Sequence, residues 1–220
     1  MTDQSVGGSP SGTAGGSRPR GRAAAPRVPR SPEARRRQQD ILRIAMDAFA
    51  ARGYNNASLA EIADRVGLTQ AGVLHYFRSK SLLLTSVLEL RDETDIEQLG
   101  TERPHGLEFL RHLVDTARRN AEREGIVRLY AVLSAESVTD DHPAQVYFRD
   151  RYAGLRAFVT DAVTEACGLD ASDIRARTAA NAVIAVMDGL QVQWLLEPGA
   201  VDMTASTGLV IDSILAGLRR

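Results

Sequence analysis

An all-α fold is predicted for this chain from three observations. Hydrophobic residues make up 44% of its 220 residues but aromatics only 5%, and the abundance of Ala and Leu suits packed helices better than a β-sandwich. Beyond residue 33 apolar side chains recur every three or four positions, with no credible pair of alternating segments. Gly and Pro fall between these segments, at Gly53, Gly67, Pro104, Gly106, Gly125, Pro198 and Gly199. The length suffices for one substantial core or two small ones.

In chain order, residues 1–32 come first and are rich in Gly, Ser and Pro. So few large apolar side chains cannot offset the entropy of ordering, and a disordered arm is expected. Its Arg18, Arg20, Arg22, Arg27 and Arg30 form a basic run without an acid. Two readings stand: an arm that lies along phosphates or enters a minor groove, and a solubilising tail. No apolar targeting segment follows the arginines, because Arg43 and Asp47 interrupt the first candidate. A helix is then predicted over 33–52, with Ile41, Ile44, Ala45, Ala48 and Phe49 on one side, Arg35, Arg36 and Arg37 near its start, and Gly53 as its stop. Tyr54 is expected to pack.

Residues 58–80 predict a helix-turn-helix. Ser58 and Glu61 have capping-box spacing. Leu59, Ile62, Ala63 and Val66 share a face, Gly67 stands at the corner, and Ala71, Val73, Leu74 and Phe77 give the second helix an apolar side. Its other side carries Thr69, Gln70, Gly72, His75 and Tyr76. Such a side suits a major groove: Gln pairs bidentately with adenine, Thr donates or accepts, and Gly permits close backbone approach. Lys80, the only lysine in the chain, follows and is placed to meet a phosphate. Periodicity alone leaves open an ordinary helical hairpin with a polar surface.

The run from Ser58 to Lys80 resembles the DNA-binding signature of TetR-family transcriptional regulators, in Ile62-Ala63, Val66-Gly67, Tyr76-Phe77 and Ser79-Lys80. The resemblance covers about residues 35–90. It departs from the family pattern at Leu74, where a phosphate-touching tyrosine is usual, and at Arg78, where Pro is common. The candidate DNA-binding set is Ser58, Thr69, Gln70, Ala71, Gly72, His75, Tyr76 and Lys80, with Gln70 and Thr69 reading bases and Tyr76, His75 and Lys80 holding phosphates. What the resemblance implies is an N-terminal three-helix DNA-binding domain over 33–80 and a C-terminal helical ligand-binding and dimerisation domain over 81–220.

Ser79 to about Leu99 reads as one long connecting helix. After the break at Pro104 and Gly106, helices are predicted over 107–123, 126–138 and 142–167, then one that runs to Leu196 with Asp170 to Asp173 offering caps, and a last over about 203–218. In the last two helices Ala180, Ile184, Met187, Gln191 and Trp194, and Val210, Ile211, Ile214 and Leu215, recur with helical spacing. They are expected to pair with a second copy as a four-helix bundle, as in the resembled family, the alternative being an intrachain core.

Polar and aromatic residues set in apolar stretches make a small-molecule cavity plausible, with Tyr130, Glu136, Tyr152, Asp188, Gln191 and Trp194 as candidate ligand-binding residues beside His142 and Tyr147. Motifs for catalysis are missing: the sequence holds no HExxH, GxSxG or phosphate-cradling loop, and its four histidines show no metal spacing. No enzyme activity, cofactor or metal is expected. Cys167 has no disulfide partner in the chain and reads as a structural thiol. No uninterrupted apolar run reaches the ~20 residues of a membrane span, so a soluble, cytoplasmic protein is expected.

Charge is unevenly spread. Residues 1–80 hold 13 Lys+Arg against 6 Asp+Glu, and residues 81–220 hold 14 against 22. Anionic partners are drawn to the helix-turn-helix end. With the resemblance to TetR-family regulators, the expected function is a homodimeric DNA-binding regulator on a palindromic operator; repression relieved by a small-molecule ligand is what that resemblance implies. Rivals are a small-molecule sensor or carrier with weakened DNA binding, and a transcriptional activator.

Overall fold

The computed structural model describes residues 31–98 and 104–219, so the arginine-rich arm expected over 1–32 lies almost wholly outside the described residues. Nine α-helices and no strand occur among the described residues. The first, α1 (Pro32–Asn56), starts where Ser31 Oγ accepts from the Ala34 N–H at 3.1 Å and Pro32 needs no donor partner. At Gly53 the backbone leaves helical geometry with φ 71° and ψ 179°, and one further turn follows. The glycine thus interrupts the helix where its lack of a Cβ permits a positive φ.

Next come α2 (Leu59–Arg65) and α3 (Gln70–Phe77) around Gly67 at φ 66°. Ser58 caps α2 through the Ala60 N–H at 3.2 Å, while the Glu61 carboxylate pairs with Arg52 of α1 at 2.9 Å. Two more guanidinium contacts fix α1 to α2: Arg37 Nη1 donates to the Val66 carbonyl at 3.1 Å, and Arg65 meets Asp47 at 3.4 Å. Ser79 Oγ accepts from the Leu82 N–H at 3.0 Å as α4 (Lys80–Gln98) begins.

The body comprises α5 (Gly106–Asn120), α6 (Glu124–Glu136), α7 (Gln145–Cys167), α8 (Ile174–Leu196) and α9 (Met203–Leu218). Asp173 and Asp202 cap α8 and α9, each accepting a backbone N–H at 2.8 Å, and Gly168 closes α7 in the left-handed region at φ 63°. One apolar core joins Phe49, Ile62, Phe77 and Leu84 of the first four helices to Leu129 and Leu133 of α6 and Phe148 of α7. A second, with Leu110, Val163, Ala180 and Ile211, lies among α5, α7, α8 and α9, and Cys167 packs half-buried against it. The chain therefore does not divide its core at residue 80.

Of the nine residues expected to meet a second copy, four are internal, while Ile184, Met187, Gln191, Val210 and Ile214 are half-buried. Ala180, Trp194, Ile211 and Leu215 are buried within one subunit. The outward faces of the same helices carry other small or apolar residues: Ala182, Ala185, Val192 and Leu196 on α8, with Leu209, Ser213 and Ala216 on α9. Both sides of these helices are apolar, so spacing alone could not tell which side faced inward. Helix α8 has the length and hydropathy of a membrane span, and it packs against α6, α7 and α9.

Candidate nucleic-acid interface and ligand cavity

Helix α3 buries Val73 and Phe77 and turns Gln70, Ala71 and His75 outward. Ala71, placed by spacing on the apolar side, is exposed, since the inward side of this short helix is formed by Val73 and Phe77, with Leu74 half-buried and Tyr76 packed against the same core. Thr69 caps it, its Oγ1 accepting from the Gly72 N–H at 3.1 Å. One lone pair of Thr69 is thus committed to the helix, and its hydroxyl hydrogen and second lone pair remain. Gly72 is half-buried, and a Cβ there would lie 3.4 Å from the Leu68 side chain. His75 and Tyr76 stack edge to face with centroids 5.7 Å apart.

Lys80 is tied into the head. Its Nζ donates to the Asn55 carbonyl at 3.2 Å and lies 4.6 Å over the Tyr54 ring. Burial lowers its pKa, and the Glu136 charge works in the opposite direction.

A cavity of about 150 Å³ opens in the body among α4 to α8, comparable with an engineered cavity that holds benzene. Its walls are apolar at Leu113, Val127, Phe148, Ile184 and Met187, and polar at Arg91, Asn120, Ser134, Arg151 and Asp188. Four of the six residues chosen from sequence line it: Tyr130, Tyr152, Asp188 and Gln191. Two lie outside the lining. Trp194 fills a separate apolar cluster with Ala117, Val127 and Met203. Glu136 sits at the junction with the head, where its Oε2 accepts from the Tyr54 N–H at 2.7 Å.

A hydrogen-bonded knot braces one cavity wall. Asp92 accepts from Arg151 at 2.7 Å, from Tyr147 at 2.8 Å and from Tyr130 at 3.1 Å, and the two phenol oxygens are 2.6 Å apart. Both Arg151 and Arg91 approach the Tyr130 ring, at 4.7 and 5.3 Å. Burial raises the Tyr147 pKa. On α8, Asp188 accepts from the Tyr152 hydroxyl at 2.8 Å. Burial pushes the Tyr152 phenol up to about 12 and raises the Asp188 carboxyl above its ordinary range. Tyr130, Tyr147, Tyr152 and Asp188 stood out in sequence as polar groups in apolar stretches; Arg91, Asp92 and Arg151 did not, since charged residues on helices read as solvated surface.

Residues 41–87 match the family profile of bacterial regulatory proteins of the tetR family, and residues 107–219, more than half of the chain, match that of the C-terminal part of BetI-type transcriptional repressors. The chain belongs to the TetR family. It is a DNA-binding transcriptional regulator with the fold of that family. It is similar to the HTH-type transcriptional regulator TtgR of Pseudomonas putida, 27% identical over 199 residues that span 85% of this chain and 93% of the relative. Among solved structures, a transcriptional regulator from Rhodococcus sp. Rha1 superposes with a TM-score of 0.68 at 19% identity, covering 83% of this chain and 98% of the other. SmeT, the repressor of the Stenotrophomonas maltophilia multidrug efflux pump SmeDEF, gives 0.61 at 21% identity over 82% and 89% of the two chains.

The two departures from the TetR-family signature have physical consequences here. Leu74 is half-buried and has no hydroxyl for a phosphate, which leaves Thr69, Gln70, His75 and Tyr76 as the polar side chains of this helix and its cap. Arg78 has φ 52°, a value closed to the proline common at that position.

Proposed function

We propose that this regulator is a cytoplasmic repressor that binds a palindromic operator as a homodimer and lets go when a small molecule fills the body cavity. The observation that carries this reading is that α6 lines the cavity through Ile126, Val127, Tyr130, Ala131 and Ser134 while also packing along α1 of the head. The match to BetI-type repressors supports repression as the output. The exposed small and apolar faces of α8 and α9 supply a surface for a second copy, and two copies would set their α3 helices in successive major grooves roughly 34 Å apart. A ligand acts only if it binds the released state more tightly than the DNA-bound one.

The mixed apolar and polar walls and the volume of the cavity support one ligand class: a compact, largely apolar molecule about the size of one ring, oriented by a few polar groups. Selection of bound sequences from random DNA tests the first half of the proposal, the expected product being an inverted repeat. Titration of that complex with a panel of single-ring compounds tests the second. Recovery of no preferred sequence refutes DNA reading by α3 and leaves a sensor or carrier.

A further inference from the structure

Tyr54 stands where four elements meet. Its N–H, freed from the helical ladder by the Gly53 kink, donates to Glu136 at the end of α6. Lys80 at the start of α4 covers its ring, and the buried His142 ring meets it edge-on at 5.3 Å. His142 Nδ1 accepts from the Ala144 N–H at 3.2 Å, which places the ring hydrogen on Nε2, 3.6 Å from Glu136 Oε2. The fit around Gly53 is close: a Cβ there would lie 1.9 Å from Glu136 Oε1, and its φ of 71° disfavours any other residue.

We infer that Glu136 is a positioning residue, a latch through which the state of the cavity reaches the DNA-binding head. Glu136 occupies the last turn of the helix whose other face lines the cavity, and it holds the head by a charge-assisted bond to a backbone N–H. A displacement of α6 along its axis, or a roll of its cavity face, moves this carboxylate directly against the turn that ends α1. Neither cavity nor groove contains Glu136; its action is through Tyr54. The inference rests on the reading that cavity occupancy governs DNA binding.

The test uses the full chain and, in place of an unidentified ligand, two substitutions that fill the cavity from different helices, Ala131→Leu on α6 and Ile184→Phe on α8. Each is placed in the wild-type, Glu136→Ala and Glu136→Gln backgrounds, and affinity for the selected operator is measured. Filling is expected to weaken DNA binding by about fivefold or more in the wild-type and Glu136→Gln backgrounds and to have little effect in the Glu136→Ala background. Glutamine keeps an acceptor oxygen, so its rescue separates the latch from a general loss of stability. Amide exchange at Tyr54, which needs no DNA, is expected to quicken about ten- to a hundredfold in Glu136→Ala alone. An equal effect of filling in all three backgrounds, or an unchanged Tyr54 amide, overturns the latch. No effect of either filling in any background, with Tyr54 exchange altered as expected, refutes ligand control and with it the transmission assigned to Glu136.

Discussion

Replacing Asp92 by Ala removes the one carboxylate on which the Arg151, Tyr130 and Tyr147 side chains converge. The Asp92 and Arg151 side chains are 29% and 26% exposed, so the pair is neither a surface salt bridge, worth about 0–1 kcal/mol, nor a sealed one, whose breakage costs about 3–5 kcal/mol. Without Asp92 one phenol hydrogen is free to bond the other phenol oxygen, 2.6 Å away, which offsets part of the loss. A destabilisation of about 2 kcal/mol is expected, or roughly 4–8 °C in Tm for a chain of this size. Tyr147→Phe, which deletes one neutral donor, is expected to cost about 1 kcal/mol. Urea unfolding at fixed protomer concentration measures both, since dimerisation would otherwise confound the midpoints. An Asp92→Ala loss under about 0.5 kcal/mol, the range of ordinary surface substitutions, would refute the claim that this carboxylate braces the cavity wall.

Asp188→Asn is expected to stabilise the protein at neutral pH. Burial raises the folded-state pKa of Asp188, so its contribution is most favourable below the unfolded carboxylate pKa and is lost as pH rises through the folded value; the advantage of the variant should therefore shrink on acidification, and an advantage constant with pH would contradict this sign. Gln70→Ala should relax preference at one operator position by ~1–3 kcal/mol, whereas Lys80→Ala should weaken all sequences alike and reduce the salt slope by about 1, both read by competition binding across salt concentrations. Ala185→Arg sets a charge on the outward face of α8 and is expected to yield a helical monomer in sedimentation; an intact dimer would move the interface elsewhere.

What could be read from sequence followed from how local its cause was. Thr69, Gln70 and His75 were recognisable because a short polar face on a capped helix needs only neighbours in the chain. The same holds for the caps at Ser58 and Asp173, although Glu61 meets Arg52 of the preceding helix. Asp92 was opaque: it begins an acidic stretch that looks solvated, and its partners lie 38 to 59 positions away. Glu136 reads in sequence as a polar residue of an apolar helix and so as a cavity group, because nothing in its neighbourhood predicts a bond to a backbone 82 positions earlier. Trp194 followed the helical repeat of a supposed interface and instead fills a packed cluster.

The apolar core that ignores residue 80 makes the DNA-reading portion a poor cassette for transplantation. A chimaera joined there would part Phe49 and Ala48 from Leu83, Leu84 and Leu133, all buried in the same cluster. Grafts of this head onto another regulator would have to carry α4 and a matched α6 surface, and evolution of its DNA preference is correspondingly tethered to a helix that also lines the cavity.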